Sequence, residues 1–534
     1  MKLICVTWGV LSGIWKWITW ASIGALLKAA GYNVFMQKFD GYLNVDPGTM
    51  NPTQHGEVFV MNDGSETDLD LGHYERFMDT DLNRYSSRTT GRIFEEILAA
   101  ERNGEYLGQT VQIIPHVTNV VKKKIREGAE IANADISIVE IGGTVGDIEN
   151  EYLIESVRQL RQELGADNVF FVHLTYVPFL AASKELKTKP TQMSIKDLMM
   201  KGIYPDLVVV RADTDIGEDI ITKISYLCGV PFAQVIPAPT VSTIYQIPLD
   251  YHARHVGETI LDHLKLPHTS FDLAKRELLN TNIKNSTTET RIAMVGKYVW
   301  LEDAYYSLNE WLKVAWFYNT TKVKLDFIEA ESLTTDNVNE ILSKYNGICI
   351  PWGFGKRGIE GMIIACQYAR EHNVPYLGIC LGSQIMAIEF ARHVLGYPDA
   401  NSEEFTPDWA HNVIHMMEHQ RSISKKWGTM RLGAYECFLK PSTNVSRIYE
   451  DVQQNNAITE RHRHRYEFNN QYRNEFEQHG FIISGTSPDG NLVEMVELAD
   501  HPFMIATQAH PELTSRPTRP HPLFVEFVKI AKSI

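Results

Sequence analysis

Short apolar runs that recur along the first half of this 534-residue chain constrain its fold more than any other feature. Each run is five or six residues long, which suits one strand buried on both faces, as in parallel sheets. The runs occupy residues 3–7, 136–141, 169–173 and 207–211. They predict an α/β fold with a mainly parallel sheet flanked by helices.

The N-terminus shows the repeating unit most clearly. After the first run, residues 8–17 are typical of a turn-rich loop, and residues 18–30 favour a helix that ends at Gly31. Residues 33–36 then predict the next strand. This order of strand, loop, helix and strand is the opening unit of a parallel sheet.

A change of composition divides the chain into two predicted domains. The polar stretch at residues 268–290 is predicted to be a linker between domains at 1–267 and 291–534. The second domain again alternates strands, such as residues 347–351, with helices, such as residues 359–372. We therefore expect two α/β domains, each with a mainly parallel sheet.

Charge and cysteine content exclude some classes of protein. The net charge of -15 argues against nonspecific binding to nucleic acid or to anionic membranes. The six cysteines include no C-x-x-C pair and form no dense framework, so they indicate a reducing compartment such as the cytoplasm.

The apolar stretch at residues 3–27 has an alternative interpretation as a signal peptide or a membrane span. Lys16 lies at its middle, where a charge costs about 2.5–3.5 kcal/mol on insertion scales, and no small-residue cleavage site follows. We therefore expect no membrane association.

Cys380 has the sequence context of a nucleophile elbow. An apolar strand at residues 375–379 leads into a glycine-flanked turn and then a helix, whose dipole can stabilise a thiolate. Far downstream, His510 and Glu512 are two residues apart, so in a strand they would share one face and Glu512 could orient the imidazole. A lone buried cysteine is usually structural and a lone His-Pro-Glu is usually a turn, but together they favour a cysteine hydrolase.

The second half resembles a class I glutamine amidotransferase domain, which implies a triad of Cys380, His510 and Glu512. The oxyanion strand of that family, Pro-Gly-Gly-Phe-Gly, aligns with Pro-Trp-Gly-Phe-Gly at residues 351–355. The implied glutamine-binding residues are Trp352, Gly353, Leu381, Gln384, Glu404 and Arg465.

The first half contains no intact Walker A motif, yet its loop Trp-Gly-Val-Leu-Ser-Gly-Ile-Trp-Lys-Trp at residues 8–17 aligns with Gly-Gly-Val-x-Ser-x-x-Gly-Lys-Gly of CTP synthases. Long matches in the order of that family follow at residues 38–50, 63–77, 138–149 and 187–192. The whole chain thus resembles the CTP synthase family, which implies a P-loop-like synthetase domain followed by a class I glutaminase domain.

The resemblance implies roles for several ionisable residues. Asp70 and Glu140 would hold Mg²⁺ with ATP, since magnesium prefers oxygen ligands, and no organic prosthetic group is expected. The implied nucleotide-binding residues are Ser12, Lys16, Ile18, Lys38, Asp147, Glu149, Lys187, Lys189, Gln192, Arg211 and Lys223.

The implied reaction joins two chemistries. ATP would phosphorylate the uracil O4 of UTP, and ammonia from L-glutamine would pass through an internal tunnel and attack C4. The resemblance also implies GTP as activator, CTP as inhibitor, and a homotetramer that can extend into filaments.

Tryptophans depart from the family pattern near both expected sites. Since glycine allows positive φ and a close approach of phosphate, we expect bulky replacements to impair turnover. Trp8, Trp15, Trp17, Trp316, Trp352 and Trp427 align with family glycines, and Trp20 and Trp311 with small residues. Two alternatives remain open: another amidotransferase-linked ligase, such as one that makes GMP, and a catalytically silent subunit that keeps the fold and the assembly.

Overall fold

The structure is a computed structural model, and it describes residues 1–11, 13, 16–49, 56–299, 302–407, 409–417, 420 and 430–534. The chain forms two compact units. The first comprises Met1–Pro47 and His73–Asn280, and the second comprises Gly48–Gly72 and Thr281–Ile534. The described residues 48–49 and 56–72 therefore belong to the second unit, although the sequence places them in the first domain. The predicted linker at residues 268–290 remains a prediction.

The strands described are β1 (Lys2–Trp8), β2 (Val34–Asp40), β3 (Phe59–Val60), β4 (Glu66–Thr67), β5 (Ser87–Thr89), β6 (Ile136–Ile141), β7 (Val169–Tyr176), β8 (Phe179–Leu180), β9 (Glu185–Leu186), β10 (Leu207–Ala212), β11 (Val235–Pro239), β12 (Thr288–Gly296), β13 (Thr321–Glu329), β14 (Gly347–Ile350), β15 (Tyr376–Ile379), β16 (Asn401–Ser402), β17 (Asn412–Met416), β18 (Arg431–Leu439), β19 (Ala457–His464), β20 (Tyr466–Phe468), β21 (Phe481–Thr486), β22 (Val493–Leu498) and β23 (Met504–Thr507).

The α-helices described are α1 (Lys16–Ala29), α2 (Leu69–Met78), α3 (Thr90–Arg102), α4 (Thr118–Ile131), α5 (Glu151–Leu164), α6 (Lys189–Met200), α7 (Glu218–Cys228), α8 (Ile247–Ala253), α9 (Val256–His263), α10 (Ala274–Asn285), α11 (Tyr306–Asn319), α12 (Val338–Leu342), α13 (Ile359–Glu371), α14 (Leu381–His393), α15 (Asn444–Ile448), α16 (Arg473–Gln478) and α17 (Pro522–Lys532).

A parallel sheet forms the centre of the first unit, with the strand order β11-β10-β7-β1-β6-β2-β5. The four predicted apolar runs are the strands β1, β6, β7 and β10, and residues 3–6 of the central strand β1 have no exposed surface. Because β6, β1 and β7 are neighbours and parallel, the loops at their carboxyl ends share one edge of the sheet.

The apolar N-terminal stretch lies inside the first unit as β1 and α1, and most of its side chains are buried. Helix α1 begins earlier than predicted, so Lys16 and Trp17 belong to its first turn rather than to the loop. None of the described helices combines the length and the hydrophobicity that crossing a bilayer requires.

The second unit contains a mixed sheet in the order β13-β12-β14-β15-β23-β22-β21-β18-β19. The strands from β13 to β23 are parallel, and those from β23 to β19 pair antiparallel. The α/β class is thus confirmed, and the antiparallel continuation is a feature that the sequence did not predict.

A short hairpin from the first half of the sequence packs in the second unit. Its strands β3 and β4 pair antiparallel, with Val60 opposite Glu66. Between them, the carbonyl oxygen of Asn62 accepts a hydrogen bond from the backbone N–H of Ala434 on β18 at 2.9 Å. We refer to residues 56–72 as the hairpin segment.

Candidate active site

Cys380 lies at a sharp turn between β15 and α14. Its φ of 53° and ψ of -98° lie in a region that residues other than glycine rarely adopt. Gly382 allows the helix to pack this close, because a Cβ there would lie 2.2 Å from the carbonyl oxygen of Ile350. The strained turn at the N-terminus of α14 is the geometry that the sequence predicts for a nucleophile.

His510 and Glu512 lie beyond the end of β23. They do not share a strand, the arrangement considered from their spacing, because Pro511 has no N–H for the ladder and Pro511–Leu513 form a 3-10 turn. The turn nevertheless brings Nδ1 of His510 to 2.7 Å from Oε1 of Glu512. Burial opposes charge on the imidazole, but the Glu512 carboxylate and the Cys380 sulfur outweigh it and raise the pKa of His510 to about 10.

The backbone of β19 contacts both Cys380 and His510. The carbonyl oxygen of Arg461 accepts the backbone N–H of His510 at 2.8 Å. The carbonyl oxygen of Arg463 lies 3.9 Å from Sγ of Cys380. This strand therefore fixes the spacing between the thiol and the imidazole.

A cavity of about 420 Å³ opens beside Cys380 and His510, a volume that suits a small polar ligand. Glu57 and Val58 of the hairpin segment form part of its wall, which no sequence motif indicated. Its lining also includes all the residues that the resemblance assigns to glutamine: Trp352, Gly353, Leu381, Gln384, Glu404 and Arg465.

The cavity carries charges of both signs. Arg465 donates from Nη1 to Oε1 of Gln420 at 2.6 Å. Glu404 accepts the backbone N–H of Gly355 at 2.7 Å, and burial raises the pKa of its carboxyl group. A ligand with both an anionic and a cationic group, such as an amino acid, matches these walls.

Lys297 is a site residue that the sequence motifs did not single out. It follows β12, and only 1% of its surface is exposed. Its Nζ donates to the carbonyl oxygens of Phe354, at 2.9 Å, and of Gly355. Burial lowers the pKa of Lys297 to about 8, although the Glu404 carboxylate favours its charge. A lysine directly after a buried strand, at the carboxyl edge of a parallel sheet, is the signal that could have identified it.

Trp352 packs into an aromatic cluster next to Lys297. Its ring centre lies 5.2 Å from that of Tyr305 and 5.9 Å from that of Phe354, and 5% of its surface is exposed. Its φ is not among the positive values of the chain, so the backbone here does not require glycine. The geometry thus gives no support to the expectation that Trp352 distorts this strand.

Lys16, in the predicted phosphate site, is the first residue of α1. Its Nζ lies 3.3 Å from Oε1 of Glu140, a residue with no exposed surface at the end of β6. The same Nζ lies 4.6 Å from the ring centre of Trp8, and the hydroxyl of Tyr74 donates to Glu140. The structure therefore brings Lys16 and Glu140 together at the carboxyl edge of the first sheet.

Trp17 packs against α2. Its ring stacks on His73 with a centre distance of 3.6 Å and contacts the edge of Phe77 at 5.4 Å. Trp20 and Trp311 are fully buried, Trp8 is buried and Trp316 is half-buried, while Trp15 and Trp427 lie outside the described residues. The indole N–H of Trp311 donates to the carbonyl oxygen of Glu512. The packing of the described tryptophans thus does not support the expectation that they impair turnover.

A second cavity, of about 440 Å³, is lined by Ile18 and Arg211 in the first unit. Arg211 donates from Nη1 to the carbonyl oxygen of Ala238 at 2.7 Å and from Nη2 to Oγ1 of Thr240 at 3.3 Å. Burial lowers the pKa of this guanidinium. An apolar wall beside a fixed cation suits a nucleotide.

Lys38, Asp147 and Glu149 occupy other parts of the first unit. Lys38 on β2 is 2% exposed, and its Nζ lies 3.4 Å from Oδ1 of Asp40. Asp147, after β6, accepts the backbone N–H of Thr144 at 2.7 Å. Glu149 lines a third cavity, of about 590 Å³. The structure does not bring these three residues into one cavity.

The remaining predicted nucleotide contacts follow β7. Lys187 precedes α6, Lys189 begins it, and Gln192 lies in its first turns, while Lys223 is on α7. In the described part of the chain, these four residues line none of the three cavities above. Ser12 lies outside the described residues.

The predicted magnesium ligands offer suitable donors. Asp70 lies in the first turn of α2, partly exposed, and its backbone N–H is bonded to Oδ1 of Asp68 at 3.2 Å. Both Asp70 and Glu140 provide the carboxylate oxygens that Mg²⁺ prefers, and Lys16 beside Glu140 is the cation expected to meet the same phosphate. The donor chemistry of each residue therefore fits this ion.

Another cluster with metal-ligand chemistry lies in the second unit. Among the described residues, His462, His464 and Glu494 bring ligand atoms within 4.8 Å of one another. Arg431, however, lies 2.6 Å from Oε1 of Glu494, and burial lowers the pKa of His462. A guanidinium already balances this carboxylate, so the cluster is a buried polar network rather than a second cation site.

Comparisons with known proteins match both halves of the chain. Residues 2–266 match the family model described as CTP synthase N-terminus, and residues 300–530 match glutamine amidotransferase class-I. A CTP synthase of Bacillus cytotoxicus is 51% identical over 528 residues, which cover 99% of this chain and 98% of that protein. One of Bacillus thuringiensis is 50% identical over the same shares. The solved glutaminase domain of Trypanosoma brucei CTPS with bound acivicin is 34% identical and covers 46% of this chain and 94% of that chain, with a TM-score of 0.43.

Proposed function

The chain belongs to the CTP synthase family, and from that premise we propose that Cys380, His510 and Glu512 hydrolyse glutamine in its second unit. It is a glutamine-hydrolysing ligase that forms CTP and depends on ATP. The observation that carries the assignment of residues is the strained Cys380 turn beside the bonded His510–Glu512 pair, at the cavity whose walls include the predicted glutamine contacts.

Hydrolysis begins when the sulfur of Cys380 attacks the amide carbon of glutamine. The imidazolium of His510, which Glu512 favours, donates a proton to the departing ammonia. The backbone N–H groups of Leu381 and Gly353 stabilise the negative charge that develops on the amide oxygen. Water, deprotonated by His510, then cleaves the thioester and releases glutamate.

The walls of the cavity select glutamine by charge. Arg465 binds its carboxylate, and the half-buried Glu404 binds its ammonium group. Gln384 contacts the amide end of the ligand, near Cys380. Lys297 keeps the segment that carries Gly353 in place through its two bonds to backbone carbonyls.

The first half uses the ammonia to aminate UTP. ATP phosphorylates the uracil O4, and ammonia displaces that phosphate at C4. Lys16 and Lys38 neutralise the phosphate oxygens, and the cavity beside Arg211 holds ATP. When bound, Mg²⁺ at Asp70 and Glu140 screens the phosphate charge. The residues that contact the nucleotides also include Ser12, Ile18, Asp147, Glu149, Lys187, Lys189, Gln192 and Lys223.

Family membership also supports regulation and assembly. GTP activates the chain, CTP inhibits it, and the chain assembles as a homotetramer that can form filaments in the cytoplasm. Partners are expected to be these small molecules and copies of the chain, with no nucleic acid or membrane.

The replacement Cys380→Ser tests the proposal. With this variant, CTP formation from glutamine should fall by about 10³-fold or more, and CTP formation from ammonium should be retained. Cys228→Ser, which changes a cysteine on α7 away from this cavity, serves as the control. Glutamine-dependent turnover that persists in the Cys380→Ser variant would contradict the assignment.

A further inference from the structure

The hairpin segment is attached to β19 through the arginine side chains of that strand. Nε and Nη2 of Arg463 lie 2.9 and 2.8 Å from Oε1 of Glu66. Arg461 donates from Nε to Oδ1 of Asn62 at 2.5 Å and from Nη1 to the carbonyl oxygen of Val60 at 3.1 Å. The Arg463–Glu66 pair is almost fully buried, with 8% and 4% of the two side chains exposed.

The backbones of these arginines contact the residues that hydrolyse glutamine. Arg461 accepts the N–H of His510, and the carbonyl oxygen of Arg463 faces Cys380. A displacement of the Arg463 side chain can therefore shift the carbonyl group beside Cys380. A displacement of the Arg461 side chain can likewise shift the carbonyl group that binds His510. Glu66 itself does not line the cavity, whereas Arg463 does.

We propose that Glu66 is a positioning residue for glutamine hydrolysis, supplied by the first half of the sequence, which acts through Arg463 on the spacing of Cys380 and His510. This inference rests on the proposed role of those two residues. A buried guanidinium needs its carboxylate partner, because a charge left alone in a dry interior is unfavourable. Without Glu66, Arg463 would move toward water, and the carbonyl beside Cys380 would move with it.

Small displacements matter here because the rate of attack by Cys380 depends on the distance and alignment of the reacting atoms. A shift on the order of 1 Å can cost about 100-fold in rate. Glutamine binding depends on Arg465 and Glu404, which Glu66 does not contact, so the loss should fall on kcat rather than on KM. Amination by free ammonium does not use Cys380 and should be unaffected.

The replacement Glu66→Gln keeps the shape of the side chain and removes its charge. We expect glutamate release to fall about 100-fold in kcat, with KM for glutamine and ammonium-dependent CTP formation within about twofold of the unmodified chain. Glu66→Asp keeps the charge and should recover part of kcat. Asp326→Asn, which breaks the partly exposed Arg291–Asp326 pair at 2.8 Å on the other edge of the same sheet, is the control for loss of an ion pair away from the cavity and should change neither activity.

The outcomes are separable. A Glu66→Gln variant that hydrolyses glutamine normally, next to an inactive Cys380→Ser variant, would overturn the positioning role and leave the proposed function intact. An active Cys380→Ser variant would overturn the proposed function instead. Equal loss of glutamine-dependent and ammonium-dependent CTP formation in Glu66→Gln would show a general effect on folding and would also overturn the inference. If Glu66→Gln fails to fold, Glu66→Asp decides by whether its loss is confined to glutamine hydrolysis.

Discussion

The cysteine site and the predicted phosphate site each begin where a buried strand of a parallel sheet ends, yet their residues are held differently. Cys380, His510 and Lys297 are 7%, 5% and 1% exposed, and all three contact backbone carbonyl oxygens or backbone N–H groups. The side chain of Lys16 is 23% exposed, and its contacts include the Glu140 carboxylate and the ring of Trp8.

The difference in burial fits the chemistries that we propose for the two sites. A covalent nucleophile and its base must be aligned before the substrate arrives, so the protein fixes them through buried backbone contacts. A lysine that neutralises phosphate needs charge and reach, and an ion pair with the buried Glu140 holds Lys16 while part of its side chain stays exposed. We therefore expect small changes to be costly at the cysteine site and charge changes to be costly at the phosphate site.

The largest expected loss of activity comes from replacing Glu512, which is fully buried beside His510. Glu512→Gln removes the charge that favours the His510 imidazolium while keeping the shape of the side chain. Glutamine hydrolysis should fall about 10³–10⁴-fold, as in triads that lose their carboxylate, and ammonium-dependent CTP formation should persist. The rate of glutamate release measures glutamine hydrolysis, and Glu526→Gln on α17 is the control. A loss below tenfold would mean that His510 is oriented by other contacts.

Removing one tryptophan near each site, Trp17 or Trp352, compares how much the packing of each contributes to stability. Trp17→Ala and Trp352→Ala each empty a buried aromatic position, so each should lower the free energy of unfolding by about 3–5 kcal/mol. Urea unfolding measures this change. If the tryptophans instead obstruct catalysis, the variants would gain CTP formation without losing stability. A gain with ammonium would point to Trp17, and a gain with glutamine alone to Trp352.

A charge change at the phosphate site should separate the two halves. Lys16→Met should lower CTP formation from both glutamine and ammonium by about 10²–10³-fold, because it removes a charge that acts on the transferring phosphate. Glutamine hydrolysis should continue. Lys275→Met, which alters an exposed lysine on α10, is the control. Loss of both hydrolysis and CTP formation in Lys16→Met would show that the two sites are not independent.

The smallest effect is a dependence of stability on pH. The pKa of His510 is raised from 6.5 to about 10 in the folded chain by Glu512 and Cys380, so the pair contributes its full stability below about pH 6.5. This contribution is lost as pH rises toward 10. The difference in unfolding midpoint between the chain and a His510→Gln variant should therefore shrink from pH 6 to pH 10. A constant difference would show that folding leaves the pKa of His510 unchanged.

Much of the fold was predictable because its signals are local. The strands β1, β6, β7 and β10 are continuous apolar runs, and the Cys380 turn is marked by its glycines. The sequence did not distinguish a turn from a strand at His510 and Glu512, because spacing by two residues allows the contact in either geometry. Lys297 has no motif, since its function depends on carbonyls that are 57 and 58 residues away in sequence.

The sequence by itself determined the family and the order of the two chemistries, and it proposed the nucleophile, because these depend on runs and turns of a few residues. Only the tertiary structure decided that the hairpin segment forms part of the wall of the cavity beside Cys380, and how the described tryptophans pack. Glu66 and Arg463 are 397 residues apart, and no local periodicity encodes such a pair. The ion pair forms because a buried guanidinium and a buried carboxylate each need a partner of opposite charge. Both side chains are buried only when the second unit has packed.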